Sequence, residues 1–206
     1  MITSGTLSTR RITLADALLA GRAGLAWDAA LVVFGAALTA GAAQVAFTVP
    51  WTAVPYTLQT GAVLLTGTAI GARRAVAAMV LYVLLGAAGL PVLAGQASGI
   101  ARVFGFTGGY LFGFIVAAGL VGRLAERGWD RSGWRTIGLM LIGTLVIYVF
   151  GVPVLALATG MSPADAINQG AIVFLPWDLA KALIAAALLP AAWRLVGKRP
   201  SAGRQT

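Results

Sequence analysis

Residues 136–159 read TIGLMLIGTLVIYVFGVPVLALAT and contain no charged side chain. An α-helix needs about 20 consecutive apolar residues to cross the hydrocarbon core of a bilayer. In that core every backbone N–H and C=O group has to be bonded within the protein, and a helix achieves this within one segment. This stretch is therefore predicted to be a transmembrane helix.

Similar apolar runs recur along the chain, separated by short basic or glycine-rich segments. They predict an all-α integral membrane protein with six transmembrane helices. We expect a single membrane domain over residues 1–206, with residues 1–28 and 194–206 as its two ends. The predicted spans are residues 29–49, 54–72, 75–92, 106–122, 136–159 and 171–193.

The composition agrees with a chain that is solvated by lipid. Hydrophobic residues make up 59% of the 206 residues and charged residues only 10%, whereas soluble domains carry roughly 25% charged residues. The mean hydropathy is +0.90. The net charge of +9 is divided among short clusters between the spans, so it is not interpreted as a nucleic-acid surface. No cleaved signal peptide is expected.

The positions of the basic residues predict the orientation of the chain. Basic residues are enriched in cytoplasmic segments, and with six spans thirteen of the 15 Lys and Arg residues fall on one side. We therefore expect a multi-pass protein of the plasma membrane with both termini in the cytoplasm. Arg102 and Lys181 are the exceptions. The four clusters are Arg10, Arg11 and Arg22; Arg73 and Arg74; Arg123, Arg127, Arg131 and Arg135; and Arg194, Lys198, Arg199 and Arg204.

The residue types that are missing exclude several classes of protein. The chain has no cysteine and no histidine, which excludes disulfides, thiolate metal sites and Ser-His hydrolysis. It has no phosphate-loop motif for ATP hydrolysis. Asp178 is the only carboxylate well inside a predicted span, so a two-aspartate intramembrane protease is excluded. We expect no enzymatic activity, no metal site and no cofactor.

Two charged residues interrupt the predicted sixth span. Asp178 and Lys181 are three residues apart, so their side chains share one face of a helix. A charge at the middle of a membrane costs on the order of 3 kcal/mol on insertion scales, and such residues usually line a cavity or a pathway. We predict that both residues bind substrate. The alternative is an ion pair that only fixes helix packing.

A glycine-rich stretch, residues 95–105, precedes the fourth span and places Gly95, Gln96 and Arg102 among the predicted substrate-binding residues. Glycine allows the backbone to bend and to approach a ligand closely. Thr107 is positioned to cap the next helix, whose first N–H groups would then face an anion or a carbonyl. The alternative is tight packing of small residues between helices.

Three more side chains are predicted to contact substrate near the outer ends of the second, third and fourth spans, namely Gln59, Tyr82 and Tyr110. A glutamine is hard to place against lipid, and its alternative role is a hydrogen bond between helices. The tyrosines have an alternative role as interfacial anchors. In the first span, Ala36 and Ala40 form a small-xxx-small ridge that lets another helix approach closely, although such spacing also arises by chance in an alanine-rich chain.

Four segments follow one another along the chain: Val54-Pro-Tyr-Thr-Leu-Gln-Thr60, Tyr82-Val-Leu-Leu-Gly-Ala-Ala-Gly-Leu-Pro-Val92, Gly105-Phe-Thr-Gly-Gly-Tyr110 and Pro176-Trp-Asp-Leu-Ala-Lys181. In order and spacing, over about residues 33–192, they resemble the BioY family, the biotin-specific substrate-capture subunits of energy-coupling factor transporters. Three positions depart from the family's usual residues. Phe106 stands in place of a proline, Gln96 in place of a second glycine, and Trp177 where glycine is common.

The resemblance implies a bundle like that of an S component, which binds biotin from outside and delivers it when partner subunits hydrolyse ATP. The implied partners are a transmembrane coupling subunit, docked at Ala36 and Ala40, and two ATPase subunits.

For the ligand, the resemblance implies that Asp178 accepts hydrogen bonds from the ureido N–H groups of biotin and that Gln59 serves the ring carbonyl or another ring atom. Either Arg102 or Lys181 would neutralise the carboxylate. The apolar part would lie against Tyr82, Tyr110, Leu93 and Trp177.

Other functions remain open at this stage. One alternative is capture of another vitamin by the same fold, and a second is a solitary secondary carrier in which Asp178 and Lys181 form a proton-linked couple. An intramembrane hydrolase is disfavoured because the chain has no histidine.

Overall fold

A computed structural model of the chain describes residues 13–18 and 24–197. These residues form nine α-helices and one antiparallel sheet of two strands. The elements are α1 (Leu14–Leu18), α2 (Leu25–Gln44), β1 (Ala46–Val49), β2 (Thr52–Thr57), α3 (Gln59–Ile70), α4 (Ala72–Ala87), α5 (Ile100–Val103), α6 (Gly108–Glu126), α7 (Gly133–Thr159), α8 (Pro163–Gly170) and α9 (Leu175–Gly197).

The all-α membrane class is confirmed by the length and apolar character of the helices. Four segments are long and apolar enough to cross a bilayer: α2, α6, α7 and Pro163–Val196, which includes α8 and α9. α3 has 12 residues and α4 has 16. At 1.5 Å per residue α3 is about 18 Å long, shorter than the roughly 30 Å of a hydrocarbon core. The count of six transmembrane helices therefore stays a prediction for these two.

The predicted boundaries are wrong where a hairpin replaces helix. Residues 46–49, assigned to the first span, form β1, and residues 54–57, assigned to the second span, belong to β2, with Phe47 opposite Tyr56. Pro55 has no N–H to donate, which suits a two-stranded ribbon better than a helix interior. Hydropathy by itself does not distinguish a short apolar strand from a helix. The third predicted span, residues 75–92, is likewise too long, because α4 ends at Ala87, before Gly89 at φ 101° and Pro91.

The bundle is built around α6, which packs against α3, α4 and α7. Small residues let these helices approach closely. A Cβ added at Gly67 of α3 would lie 2.5 Å from Val121 Cγ2, and one added at Gly113 of α6 would lie 3.0 Å from the backbone of Ile147. α2 is the least buried of the long helices and presents an outward face of apolar side chains. This packing places the first residues of α3, α6 and α9 at one end of the bundle.

We call that end the hairpin end, because it carries β1 and β2, and the opposite end, with Arg74 and Arg123, the basic end. At the basic end Arg74 lies 2.7 Å from a carboxylate oxygen of both Asp16 and Asp28. Burial raises the pKa of Asp16, but hydrogen bonds from Arg74 and Thr13 outweigh it and hold that pKa below its ordinary value. This cluster ties α1 and α2 to α4.

Candidate functional site

A cavity at the hairpin end encloses about 660 Å³, including the space at its mouth. Its walls come from the hairpin, from the segment between α4 and α6, and from α3, α6, α7 and α9. Of the predicted substrate-binding residues, six line it: Gln59, Arg102, Thr107, Tyr110, Asp178 and Lys181.

Asp178 is the buried acceptor of this cavity. It lies in the first turn of α9 and is 5% exposed. One carboxylate oxygen accepts a hydrogen bond from the hydroxyl of Tyr148 on α7. The other accepts a hydrogen bond from the Thr60 hydroxyl at 3.2 Å and lies 2.5 Å from Lys181 Nζ. A carboxylate has about four acceptor positions, so it retains capacity for a ligand N–H group.

Lys181 is held by the same cluster. Besides its ion pair with Asp178, its ammonium donates a hydrogen bond to the hydroxyl of Thr60 on α3. The ammonium also lies 5.9 Å from the centroid of the Trp177 ring. The ion pair between Asp178 and Lys181 is therefore present, as the packing alternative predicts. Both residues also line the cavity, so the pair is part of the cavity wall.

Arg102 is the second cation on the cavity wall, and it is not used in an ion pair. The residue lies in α5, half-buried, with its guanidinium carbon 5.1 Å from the centroid of the Phe106 ring. No carboxylate of residues 13–18 and 24–197 lies within ion-pair distance of it. Its charge is available for an anionic group of a ligand.

Gln59 and Tyr82 form a buried pair. Gln59 is 5% exposed and lines the cavity, and its side-chain N–H donates to the Tyr82 hydroxyl at 2.5 Å. Tyr82 is fully buried behind it and does not line the cavity. Tyr82 therefore acts on the cavity through the orientation of Gln59, and the side-chain carbonyl of Gln59 remains as an acceptor.

The remaining predicted residues lie around the cavity with different roles. Tyr110 lines it while its hydroxyl donates to the backbone carbonyl of Gly170 at 2.8 Å. Thr107 occupies the position before α6, but its side chain makes no capping hydrogen bond, contrary to the expectation. Gly95 and Gln96 are absent from the lining, which Leu93 and Ala94 supply instead.

The expected docking ridge needs a correction. Ala36 is 2% exposed and Ala40 is half-buried, because this face of α2 packs inside the bundle against α4 and α3. A partner helix therefore cannot contact Ala36 in this conformation. Spacing alone predicted a ridge of small residues but not the side to which it faces.

Several cavity residues were missed by the sequence analysis. Tyr148 and Thr60 both bond Asp178, and Phe114 and Phe174 add aromatic walls. Tyr148 could have been recognised from the sequence, because it is a polar side chain deep inside an apolar span. Phe114 had none, because a phenylalanine inside an apolar helix is as readily explained by lipid contact.

Comparison with known proteins adds to this geometry. A family model described as the BioY family matches residues 6–198. A protein named biotin transporter BioY from Thermotoga maritima is 38% identical over 157 residues, which cover 76% of this chain and 86% of that protein. Biotin transporter BioY2 from Lactococcus lactis is 37% identical over 157 residues, covering 75% and 83% respectively.

The architecture also has a solved counterpart. A crystal structure described as the S-component for biotin from an ECF-type ABC transporter matches with a TM-score of 0.74. The match covers 82% of this chain and 92% of that chain at 20% sequence identity. At this identity the likeness shows the fold, and it confirms the expected bundle of an S component.

Proposed function

This chain belongs to the BioY family, and we propose that it captures biotin as the substrate-binding subunit of an energy-coupling factor importer. Its relatives are named as biotin transporters, so the chain is grouped with transport proteins and not with enzymes, as predicted. The observation that carries the proposal is a cavity that combines the buried acceptor Asp178 with Arg102, a cation that has no ion-pair partner among the described residues.

The ureido end of biotin matches the Asp178 side of the cavity. Its ring offers two N–H donors and one carbonyl acceptor, and Asp178 when ionised only accepts. The Lys181 ammonium lies beside that carboxylate, bonded to it and to the Thr60 hydroxyl, and its third N–H supplies a donor for the carbonyl. Tyr148 fixes the carboxylate from the other side. We infer that this cluster binds the ureido ring.

The carboxylate of biotin matches Arg102 better than Lys181. Lys181 is already paired with Asp178, whereas Arg102 has no carboxylate partner among the described residues. A hydrogen bond between a guanidinium and a carboxylate is stronger than a neutral one. The apolar part of biotin would then lie along the aromatic walls, which include Phe114, Phe174 and Trp177.

Partner subunits and orientation complete the proposal. The chain would dock a transmembrane coupling subunit and two ATPase subunits, with both termini in the cytoplasm and the hairpin end outside. Loss of labelled-biotin uptake in cells that lack the ATPase subunits supports this assembly. Uptake that persists there, and collapses with the proton gradient, would instead favour a solitary secondary carrier.

The substrate is tested by biotin binding to the purified protein in detergent, with Asp178→Asn as the variant and Asp165→Asn as its matched control. Asp165 is an exposed carboxylate on α8. We expect affinity to fall roughly 100-fold for Asp178→Asn, because hydrogen bonds to a charged acceptor are lost, and to stay unchanged for the control. Binding of riboflavin or thiamine without binding of biotin would overturn the substrate assignment.

The role of Arg102 is tested with two ligands. Arg102→Gln is expected to weaken biotin about tenfold and biotinamide, which has no carboxylate, much less. Arg123→Gln, an exposed arginine at the basic end, serves as the control for loss of charge. Equal weakening of both ligands would mean that Arg102 acts on the shape of the cavity and not on the carboxylate.

A further inference from the structure

Two segments that border the cavity are held in different ways. The hairpin is bonded to the α8–α9 region: Thr52 donates to the carbonyl of Gln169 at 2.6 Å, and Tyr56 donates to the carbonyl of Val173 at 2.8 Å. The indole N–H of Trp177 donates to the carbonyl of Thr57 at 3.1 Å. Aromatic contacts reinforce this attachment: ring centroids are 4.4 Å apart for Tyr56 and Phe174 and 6.3 Å apart for Phe47 and Trp177. The hairpin is therefore attached through several partly buried contacts.

The other segment is residues 92–97, which we call the latch loop. Its Leu93 lines the cavity and is 2% exposed. The Leu93 side chain fills a notch at Gly86, where an added Cβ would lie 2.6 Å from Leu93 Cδ2. The loop is closed on itself by a hydrogen bond from Leu93 N–H to the Ala97 carbonyl at 3.1 Å.

The side chain of Gln44, the last residue of α2, binds this loop. Its Nε2 donates to the carbonyls of Val92 at 3.3 Å and Leu93 at 3.5 Å, and its Oε1 accepts from Gln96 N–H at 3.2 Å. The same Nε2 also donates to the Ala40 carbonyl at 2.9 Å, which anchors the side chain to its own helix. Gln44 therefore bridges α2 and the loop that follows α4.

The hydrogen bonds between Gln44 and the latch loop are of a kind that breaks at low cost. Gln44 and Gln96 are both exposed, so water competes for these groups and each bond contributes little free energy. Leu93 is the one buried residue of the latch loop, whose other five residues are half-buried or exposed. Segments with few buried contacts and exposed hydrogen bonds open locally at low cost. Gln96 also has a φ of 61°, in the left-handed region that non-glycine residues rarely adopt. The hairpin side has no such exposed bridge among the contacts described above.

We propose that Gln44 is a positioning residue that holds the latch loop closed, and that this loop, and not the hairpin, is the wall that moves when the ligand enters or leaves. The proposal rests on the proposed function for its ligand but not for the contact itself. Removal of the Gln44 side chain frees the loop while leaving the Asp178 cluster and Arg102 unchanged. It is expected to raise the dissociation rate of biotin roughly tenfold.

The test compares wild type, Gln44→Ala and Gln169→Ala by hydrogen exchange of the ligand-free protein and by dissociation of labelled biotin. Gln169 is a matched control, since it contacts the hairpin through its backbone carbonyl. In Gln44→Ala we expect roughly tenfold faster exchange in residues 92–97 and a roughly tenfold faster dissociation of biotin. The amide of Gly99, which donates to the Gly86 carbonyl at 2.7 Å, should keep its protection. Gln169→Ala should match wild type in both measurements.

The possible outcomes separate the two proposals. Unchanged exchange in residues 92–97, or faster exchange with an unchanged dissociation rate, overturns the latch. Equally fast dissociation in Gln169→Ala would show that the effect is not specific to Gln44, and it also overturns the latch. Absence of biotin binding in the wild type overturns the proposed substrate, and the exchange measurement still decides whether Gln44 holds the loop. A second variant, Gln44→Glu, keeps the acceptor for Gln96 N–H but loses the donors, and should show intermediate exchange.

Discussion

The molecule has two charge clusters, and they differ in what they connect. At the basic end, Arg74 bonds Asp16 and Asp28 and so joins three separate elements, α1, α2 and α4. At the hairpin end, Asp178 and Lys181 belong to the same turn of α9, so their ion pair by itself joins nothing. Only the hydrogen bonds of this pair to α3 and α7 reach other helices.

The two clusters also differ in burial. The side chains of Arg74, Asp16 and Asp28 are between 22% and 46% exposed, whereas those of Asp178 and Lys181 are 5% and 14% exposed. Desolvating two charges costs several kcal/mol per ion, which their attraction often fails to recover. A cluster whose role is to join helices can lie near the surface, where the cost of desolvating its charges is low. A buried pair that joins no elements by itself is better explained by a ligand that uses it.

The largest expected effect comes from breaking the buried pair. Lys181→Met leaves the Asp178 carboxylate buried without its cation, which typically costs about 3–5 kcal/mol of stability. The double variant Asp178→Asn with Lys181→Met should recover most of that stability, because no buried charge remains. Neither variant should bind biotin. Thermal unfolding in detergent and a biotin titration check both statements, and wild-type affinity in the double variant would mean that the pair only serves packing.

A smaller effect is expected at the basic end. Arg74→Gln removes both ion pairs of a partly exposed cluster, so we expect a loss of at most about 1 kcal/mol and a biotin affinity within about twofold of wild type. Arg73→Gln removes the same charge from the exposed neighbouring residue and is the matched control. A large loss of biotin affinity in Arg74→Gln alone would contradict the division between a structural and a functional cluster.

The smallest effect concerns a carboxylate outside both clusters, Asp130, in the turn between α6 and α7. It is 1% exposed, and one of its oxygens accepts from the indole N–H of Trp193 at 2.5 Å. Its other oxygen is buried without a hydrogen-bond partner among the described residues. Burial raises the pKa of Asp130 above its ordinary value, despite the hydrogen bond from Trp193, which lowers it.

The sign of the pH dependence follows from that direction. A raised pKa means that the folded protein holds the proton more tightly than the unfolded chain, so this contribution is present at low pH and lost as pH rises through the folded pKa. Wild type should therefore lose thermal stability relative to Asp130→Asn as pH rises from about 4. The pKa of Asp16 is lowered in the folded protein, so wild type should gain thermal stability relative to Asp16→Asn as pH rises. Identical pH profiles for the two variants would contradict both assignments.

Much of the site was predictable because charge is conspicuous in an apolar chain. Asp178, Lys181 and Arg102 are visible as exceptions to hydropathy or to the distribution of basic residues, and all three line one cavity. Tyr82 and Gln96 were predicted as contacts but lie outside the lining, since a pattern that places a residue near a cavity does not give the direction of its side chain. Thr60 lies beside Gln59 in sequence, but its bond to Asp178 depends on the packing of α3 against α9.

The sequence alone determined that lipid solvates this chain and that its spans are helical, because hydropathy and the need to bond every backbone group allow few other solutions. It also determined which charges need a functional explanation. Only the tertiary structure decided that residues 46–57 turn into a hairpin, that Ala36 faces inward, and that Lys181 is already paired while Arg102 is not. These outcomes depend on which helix faces pack together, and contacts between residues more than 100 positions apart leave no local signal in the sequence.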